Sequence, residues 1–478
     1  MSLNSILEIG KSGLNIYQMA TEVTSQNIAN VNTPGYSRQQ VQLETAPPTT
    51  ANGFPLGTGV RIAAITRSYD ALLQQQLVNA QTTEGYDTTK SNVLQQIEPS
   101  FNEVANDGLG AAISNFFGSW QDLTLNPSGQ AERQSVLTNA QILADNFHSV
   151  SKTLTDTIST QNTSVATLTS SINSTLTNIA QLNGQIKTSN AVGGNANELE
   201  DQRDQLIRNL SQQMGIKYTE NSDGTTDVYV TDGSTGTNYY LVSGNKAGTV
   251  NANTTNPNKT VVTVTDATNG TTSNAMDPTA GTPFYSSDTS GGQLWATLKL
   301  RDVTIPNYLT QLNTLATTIT STVNTQHKLG ADLNGTTGLN FFDPSATSAA
   351  TFGISSDIAS TSNIAAAASG AASGDNSNAV KIADLQNALT MSGGTTTFNS
   401  YYDSLVSTVG LDVQSSKNTV TQDTAFTQQL TTLQQSNSGV SLDEELTNLV
   451  KYQRSYQASA KLITTATDMM DTVLGLIQ

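Results

Sequence analysis

The chain has 478 residues, with Asp+Glu 38 against Lys+Arg 21, a formal net charge of −17, two histidines and no cysteine. Its length suggests two to four domains, and an acidic balance without a basic patch argues against nucleic acid and anionic membrane surfaces as partners. Zero cysteine excludes a disulfide scaffold, a thiolate zinc site and a cysteine nucleophile.

Residues 3–31 predict one helix with two adjacent apolar seams. Leu3, Leu7, Gly10, Leu14, Tyr17, Thr21, Thr24, Ile28 and Val31 form the first; Ile6, Ile9, Gly13, Ile16, Ala20 and Val23 form the second. Their spacing keeps each seam on one side of an α-helix. Small residues at Gly10, Gly13 and Ala20 leave room for a close helical neighbour. No basic stretch, apolar stretch and cleavage site open the chain, so general secretion is unsupported while export by another route stays open. No apolar run approaches the ~18 residues of a membrane span, so membrane insertion is not expected.

The helix is expected to end at Asn30-Val31-Asn32-Thr33-Pro34-Gly35-Tyr36, where Pro34 cannot continue it and Pro-Gly fits the centre of a type II turn. From Ser37 to about Pro55 the chain reads as extended and turn-rich, Gly57 to Ile62 leads into a short strand, and helix is expected from about Tyr69. Residues 70–210 read as long polar helices, with the clearest seam at Leu154, Ile158, Val165, Leu168, Ile172, Leu176, Ile179, Leu182 and Ile186. Thr and Ser on their surfaces mean that packing must hold them rather than propensity. Gly193-Gly194 breaks the run, and Asn197 is expected to cap a new helix.

Around Gly215 the period changes from helical to alternating. Ile216 to Tyr218, Val228 to Val230, Tyr239 to Val242 and Val261 to Val264 are strand-like, separated by Asp223-Gly224, Asp232-Gly233 and Asn269-Gly270 turns. Helical period resumes at Ile305, Leu309, Leu312, Ala316, Ile319 and Val323, with Pro306 expected to kink or open the start. Residues 330–400 read as loop-rich, with a short strand at Thr351 to Ile354 and a helix near Ala379 to Leu389. A further seam runs through Tyr402, Val406, Val409, Val413, Val420 and Leu430.

The last stretch, from Ser441, mirrors the first. Leu442, Leu446, Leu449, Gln453, Tyr456, Ala460, Ile463, Thr467, Met470, Leu474 and Ile477 form one seam; Tyr452, Ser459, Leu462, Ala466, Met469, Val473 and Leu476 lie beside it. Ser441 and Glu444 suggest a capping box. Two seams per helix mean more than one neighbour. The end helices therefore pair with each other and then with copies of themselves, or they close a self-contained bundle.

The expected fold is mainly α with an inserted β domain: long terminal coiled-coil helices, a helical-bundle body and a small antiparallel β domain. The divisions are 1–60, an N-terminal axial helix and extended segment; 61–215, first part of the body; 216–292, the β insert; 293–440, second part of the body; and 441–478, the C-terminal axial helix.

Chemistry is sparse. His148 and His327 have no second ligand at metal spacing and read as surface or packing histidines. The Asp-Gly pairs lack a calcium-loop pattern and read as turns. Glu200 to Arg208 alternates charges three and four apart, which reads as a solvated helix face. Lys451, Arg454 and Lys461 share a stripe with Asp468; they serve solubility or pair with acids on a neighbouring copy.

Ser25-Gln26-Asn27-Ile28-Ala29-Asn30-Val31-Asn32-Thr33-Pro34-Gly35-Tyr36-Ser37-Arg38-Gln39 resembles the N-terminal signature of the bacterial flagellar rod, hook and hook-associated proteins. Its T-P-G-Y-S-R-Q ending is nearer the hook-associated members than the hook and distal rod proteins, which more often continue T-x-G-F-K. Leu446 to Lys461 resembles the same family's terminal motif, and Asp201-Gln202-Arg203-Asp204, Leu300-Arg301-Asp302 and Gly338-Leu339-Asn340-Phe341-Phe342 agree. Ser25-Gln26 replaces the commoner Gly-Asn, and the shorter middle leads us to expect one outer β domain.

The resemblance implies a structural subunit at the joint between hook and filament, with no enzymatic activity and no cofactor or metal. Such a subunit leaves by the flagellar type III path without a cleaved signal and functions in the extracellular flagellum. Its partners are copies of itself in a tube, the hook protein, the next hook-associated protein, and an export chaperone on about 441–478. Its ends fold largely on packing into the tube. The expected assembly interface is Leu3, Leu7, Leu14, Tyr17 and Ile28 with Leu442, Leu446, Leu449, Tyr456, Ile463, Met470, Leu474 and Ile477, beside the motif turn Asn30, Thr33, Pro34, Gly35 and Tyr36. Another axial flagellar protein (hook or distal rod) is the near alternative; an extracellular coiled-coil adhesin or fibre is the distant one.

Overall fold

A computed structural model describes residues 3–51, 54–101, 108–256, 259–280, 284–285 and 287–475. The chain starts with α1 (Leu3–Ala29), followed by β1 (Gln39–Thr45), the short hairpin β2 (Thr49–Ala51) and β3 (Phe54–Leu56), and β4 (Val60–Arg67), which pairs antiparallel with β1. The body begins with α2 (Ala71–Ile97), α3 (Leu109–Leu123), α4 (Gln130–Ala191) and α5 (Asn197–Gln213). Asp70 caps α2 by accepting from the Leu72 and Leu73 N–H groups.

Helix α4 has 62 residues, which at ~1.5 Å per residue makes a spine of about 90 Å. Its Leu154, Val165, Ile172, Leu176, Ile179 and Ile186 are all 0% exposed. On the polar faces, hydroxyls such as Thr155, Thr160 and Thr163 donate to the carbonyl four residues back. Burial of the seam thus holds a helix whose surface residues favour it weakly.

The β insert follows. β5 (Lys217–Glu220), β6 (Thr226–Thr231), β7 (Asn238–Ser243) and β8 (Lys246–Ala247) form an antiparallel sheet in sequence order, beside a hairpin of β9 (Thr249–Asn256) and β10 (Lys259–Thr265). The Asp side chains at its corners serve the turns themselves: Asp223 accepts from Thr225, Asp232 from Ser234, and Asp266 from Thr268. Gly224 and Gly270 take the positive φ required there, at 85° and 72°. At Asp232-Gly233 the positive φ falls three residues later, on Gly236.

The chain returns through α6 (Gly292–Lys299), a π-helical turn at Leu300–Thr304 and α7 (Ile305–His327). Pro306 is the second residue of α7, directly after the π-helical turn, and because the backbone stays helical from α6 through Thr304 (φ −67°, ψ −55°) it sits within a continuous helical run and does not open one. Beyond lie the bridge-like pair β11 (Gly330–Ala331) and β12 (Ala367–Ala368), α8 (Ser377–Asp384), α9 (Phe398–Ser438) and α10 (Leu442–Gly475). The strand expected at Thr351 to Ile354 is instead a 3₁₀ turn at Ala349–Thr351 with a single bridge from Ile354 to Phe342. The helix expected near Ala379 to Leu389 starts and ends earlier.

Two large cores result. Trp120, Phe116, Phe117, Phe147, Phe341, Phe342, Phe352 and Phe398 fill the first, between α3, the first half of α4, α7 and α9. The second half of α4, α5, the β insert and Trp295 of α6 enclose the other. His327 is a core residue: Nδ1 lies 2.8 Å from the Leu339 carbonyl and Nε2 accepts from the Ala365 N–H at 2.9 Å, and burial pushes the imidazole down to about 4. By contrast α2 and α9 meet along a thin seam. Leu73, Leu77 and Ala80 pack on Leu430, and Asp87 shares a contact with Asp423, where burial and the second carboxylate push Asp87 up to about 6.

Candidate assembly site and its polar hub

α1 and α10 run antiparallel. A Cβ on Gly10 would stand 2.7 Å from Ile463 Cγ1, and one on Gly13 would stand 2.8 Å from Ser459 Oγ. The rings of Tyr17 and Tyr452 stack at 6.5 Å, and Asn27 reaches Glu445 near the far end. Absent side chains therefore set the spacing of the pair.

The pairing consumes only part of each seam. On α1, Gly10, Gly13, Ile16, Ala20, Val23 and Thr24 are buried, with β1 and β4 packing on the helix besides α10, while Leu7, Leu14, Tyr17 and Ile28 are half-buried. On α10 the pairing buries Ser459 and Ala466, with Leu449, Ile463 and Met470 half-buried. Leu442, Leu446, Tyr456 and Leu474 are exposed, as are Val450, Leu462, Met469 and Val473. Leu3 opens α1, but its side chain, like Leu476 and Ile477, lies outside the described residues.

Where the pair meets the body, a buried polar hub forms. Asn27, 1% exposed, fills all four of its bonding positions. Its Nδ2 donates to the Gln39 carbonyl at 2.9 Å and to Glu445 Oε2 at 3.0 Å, and its Oδ1 accepts from the Tyr36 hydroxyl and the Gln39 N–H, each at 2.9 Å. The buried Glu445 carboxylate is answered by Arg38 Nε at 2.7 Å, and Arg38 also reaches Glu444 at 2.9 Å. Arg38 also donates its backbone N–H to the Ser438 carbonyl at 2.8 Å, joining the end of α9 to the turn.

The motif turn is a type II turn: Tyr36 N–H bonds the Thr33 carbonyl at 3.2 Å and Gly35 has φ 82°. It seats on α5. Ser37 donates both its N–H and its hydroxyl to Asp201, each at 2.7 Å. Arg67, from β4, bonds Asp201 at 2.8 Å, Asp204 at 2.7 Å and Glu200 at 3.1 Å, and these carboxylates hold it charged despite its burial. Burial and the Glu198, Asp201 and Glu445 carboxylates push Tyr36 up to about 12, so its hydroxyl keeps the proton it gives to Asn27.

The hub overturns one reading of the sequence. Asp201, Arg203, Asp204 and Arg208 are buried, so Glu200 to Arg208 is a tertiary joint and not a solvated face. Asn197 does not cap α5. It lies inside the first turn and donates to the Ile65 carbonyl at 3.1 Å. Asn27, Ser37, Arg38, Asp201 and Glu445 carry the joint and were not among the expected site residues. An Asn on a buried helical stripe, where propensity disfavours it, is the available signal for the first. Of the turn residues, Asn30 and Thr33 bond each other at 3.1 Å. Pro34, Gly35 and Tyr36 line an open groove of about 700 Å³ against α4 and α5, walled in part by amides such as Gln181 and Gln205. Among the described residues no group of three or more His, Cys, Asp and Glu could hold a metal.

A helical body, a hub that fixes two terminal helices to it, and an apolar stripe left open on α10 define a structural protein whose working surface is a helix pair. Comparison with known proteins places it further. The family model described as the flagellar hook-associated protein FlgK helical domain matches residues 94–342, more than half of the chain. Models of the flagellar basal body rod FlgEFG protein C-terminal region and of the flagella basal body rod protein match 434–476 and 7–36. The chain is 29% identical to the flagellar hook-associated protein 1 of Bacillus subtilis, over 98% of this chain and 97% of that one. To its Escherichia coli namesake it is 28% identical, over 99% and 100%. The flagellar hook junction protein FlgK of Burkholderia pseudomallei shares the fold, with a TM-score of 0.65 at 18% identity over 76% of this chain and 100% of that one. The chain belongs to the flagellar hook-associated protein family.

Proposed function

We propose that this chain, a structural subunit of the bacterial flagellum joining hook to filament, enters the axial tube by packing its paired end helices laterally against those of its neighbours. The observation that carries the reading is the divided seam of α10: Ser459 and Ala466 are buried within the chain, whereas Leu442, Leu446, Tyr456 and Leu474 stand open. The end segments match rod-type models shared across axial proteins, whereas 94–342 matches the hook-associated helical domain, which favours the junction over hook or distal rod. In this reading α1 and α10 build the wall of the tube, the helical body makes the next layer and the β insert faces outward. The subunit catalyses no reaction and takes no cofactor.

Its neighbours are hook protein below and the next hook-associated protein above. The chain leaves by the flagellar type III path without a cleaved signal, with a dedicated chaperone on α10. Open apolar stripes support a need for cover in the cytoplasm. The test compares the full chain with one lacking 1–35 and 441–478, by circular dichroism and by incorporation between hook and filament. Abolished incorporation with the body's helix retained supports the reading; normal incorporation of the trimmed chain overturns it.

A further inference from the structure

We infer that copies dock head to tail, the outer face of α1 on one copy meeting the outer face of α10 on the next, in a register set by carboxylates on α1 and cations on α10. This rests on the assembly reading above and adds the surface, the orientation and the charges.

Lys451, Arg454 and Lys461 are exposed on α10, and Arg454, Lys461 and Asp468 repeat every seven residues, one above another. Among the described residues none of the three cations makes an ion pair, in a chain where carboxylates outnumber cations 38 to 21. Glu8 and Glu22 are likewise exposed on α1 and likewise without an ion pair there, Glu22 taking only a hydrogen bond from Gln18.

The heights match. Gly10 packs on Ile463, Gly13 on Ser459, Tyr17 on Tyr452 and Asn27 on Glu445, so position n of α1 lies level with about 472 − n on α10. Glu22 is therefore level with Lys451 and Arg454, and Glu8 with Lys461, within four residues or about 6 Å of axial offset. Within one copy Glu8 and Glu22 on α1, and Arg454 and Lys461 on α10, lie on the backs of the paired helices, while Lys451 lies on the flank. Between copies placed side by side at the same height, the backs meet and the signs are opposite. Exposed Val450, Leu462 and Met469 beside the cations supply the apolar part of the contact. A two-fold contact of α10 with itself would set Lys461 against Lys461 and leave Glu8 and Glu22 unmatched. A contact of two different faces propagates, which a tube requires.

The chain's lack of cysteine allows a direct test. Full-length copies carrying Glu22→Cys and copies carrying Arg454→Cys are co-expressed, and flagella are isolated and oxidised. A mixed cross-linked dimer is expected, with neither variant alone giving one; a dimer from Arg454→Cys alone overturns the proposal. In parallel, Arg454→Glu with Lys461→Glu is expected to lower incorporation by about tenfold, and adding Glu8→Lys with Glu22→Lys to restore it to within about threefold. Reversal without effect, or combined reversal without recovery, overturns the register. Unchanged monomer melting excludes misfolding. If reversal is harmless while Leu446→Asp with Leu462→Asp blocks incorporation, lateral packing stands and the charge register falls. Lys11, exposed near Glu8, is the like charge on the α1 face, and Lys11→Glu is expected to strengthen docking.

Discussion

The spine α4 and the terminal helix α10 carry the same kind of pattern, apolar residues at steps of three and four with Thr, Ser and Gln between. In α4 six seam residues are fully buried and Ile158, Leu168 and Leu182 half-buried, whereas on α10 Leu446 is 50% and Leu474 58% exposed. The difference lies in the surroundings: α4 is enclosed by α3, α5, α7 and the β insert, and α10 meets α1 alone along most of its length. A seam states that a helix has a partner; it does not state which molecule supplies that partner.

The largest effect is expected inside the body. Trp120→Ala removes a fully buried ring from between Phe116, Phe341 and His327 and should cost about 3–5 kcal/mol, read from denaturant unfolding. Next comes the hub. Asp201→Ala strands the Ser37 N–H and one bond of Arg67, and should cost about 2–4 kcal/mol, with faster amide exchange in α1 and β1 while the α3–α7 core stays protected.

In the terminal pair, Gly10→Leu forces a side chain against Ile463 and should cost about 1–3 kcal/mol of α1–α10 pairing, read as lost helix signal confined to the ends. Titration separates the regions further. Asp87 is raised from 3.8 to about 6, so its contribution is full below pH 3.8 and is lost as pH rises through about 6. Asp87→Asn should then stabilise the α2–α9 seam at pH 7.5 by about 1–2 kcal/mol in thermal melts and have little effect at pH 4. His327 acts in the opposite sense: lowered from 6.5 to about 4, it withdraws stability from the body as pH falls through that window, and His327→Gln should flatten the slope. The smallest monomer effect is expected for Leu446→Ala, within about 0.5 kcal/mol, yet incorporation should fall sharply.

Periodicity made the long helices, the β insert and the motif turn legible, because each depends on spacing that lies within a few residues. The two glycines that space α1 from α10 were readable for the same reason. The hub was not. Ser37 meets Asp201 across 164 positions, and Arg67 meets it across 134. Local spacing of Glu200 to Arg208 fits an exposed face equally well, and only distant partners turn it inward. Nor does a stripe such as Leu442 to Leu474 reveal that Leu449 and Ile463 turn toward α1 while Leu446 does not, since two overlapping seams leave that division to the neighbour's position.

The bond between Asn27 and Glu445 spans 418 positions. Synthesis delivers α1 long before α10 exists, so this clasp, with the contacts of Tyr17, Gly13 and Gly10 further along α10, forms late, and the finished body must first bring the two helices within reach. A cut at either extremity therefore strips its opposite number as well: shortening one terminus will behave like shortening both.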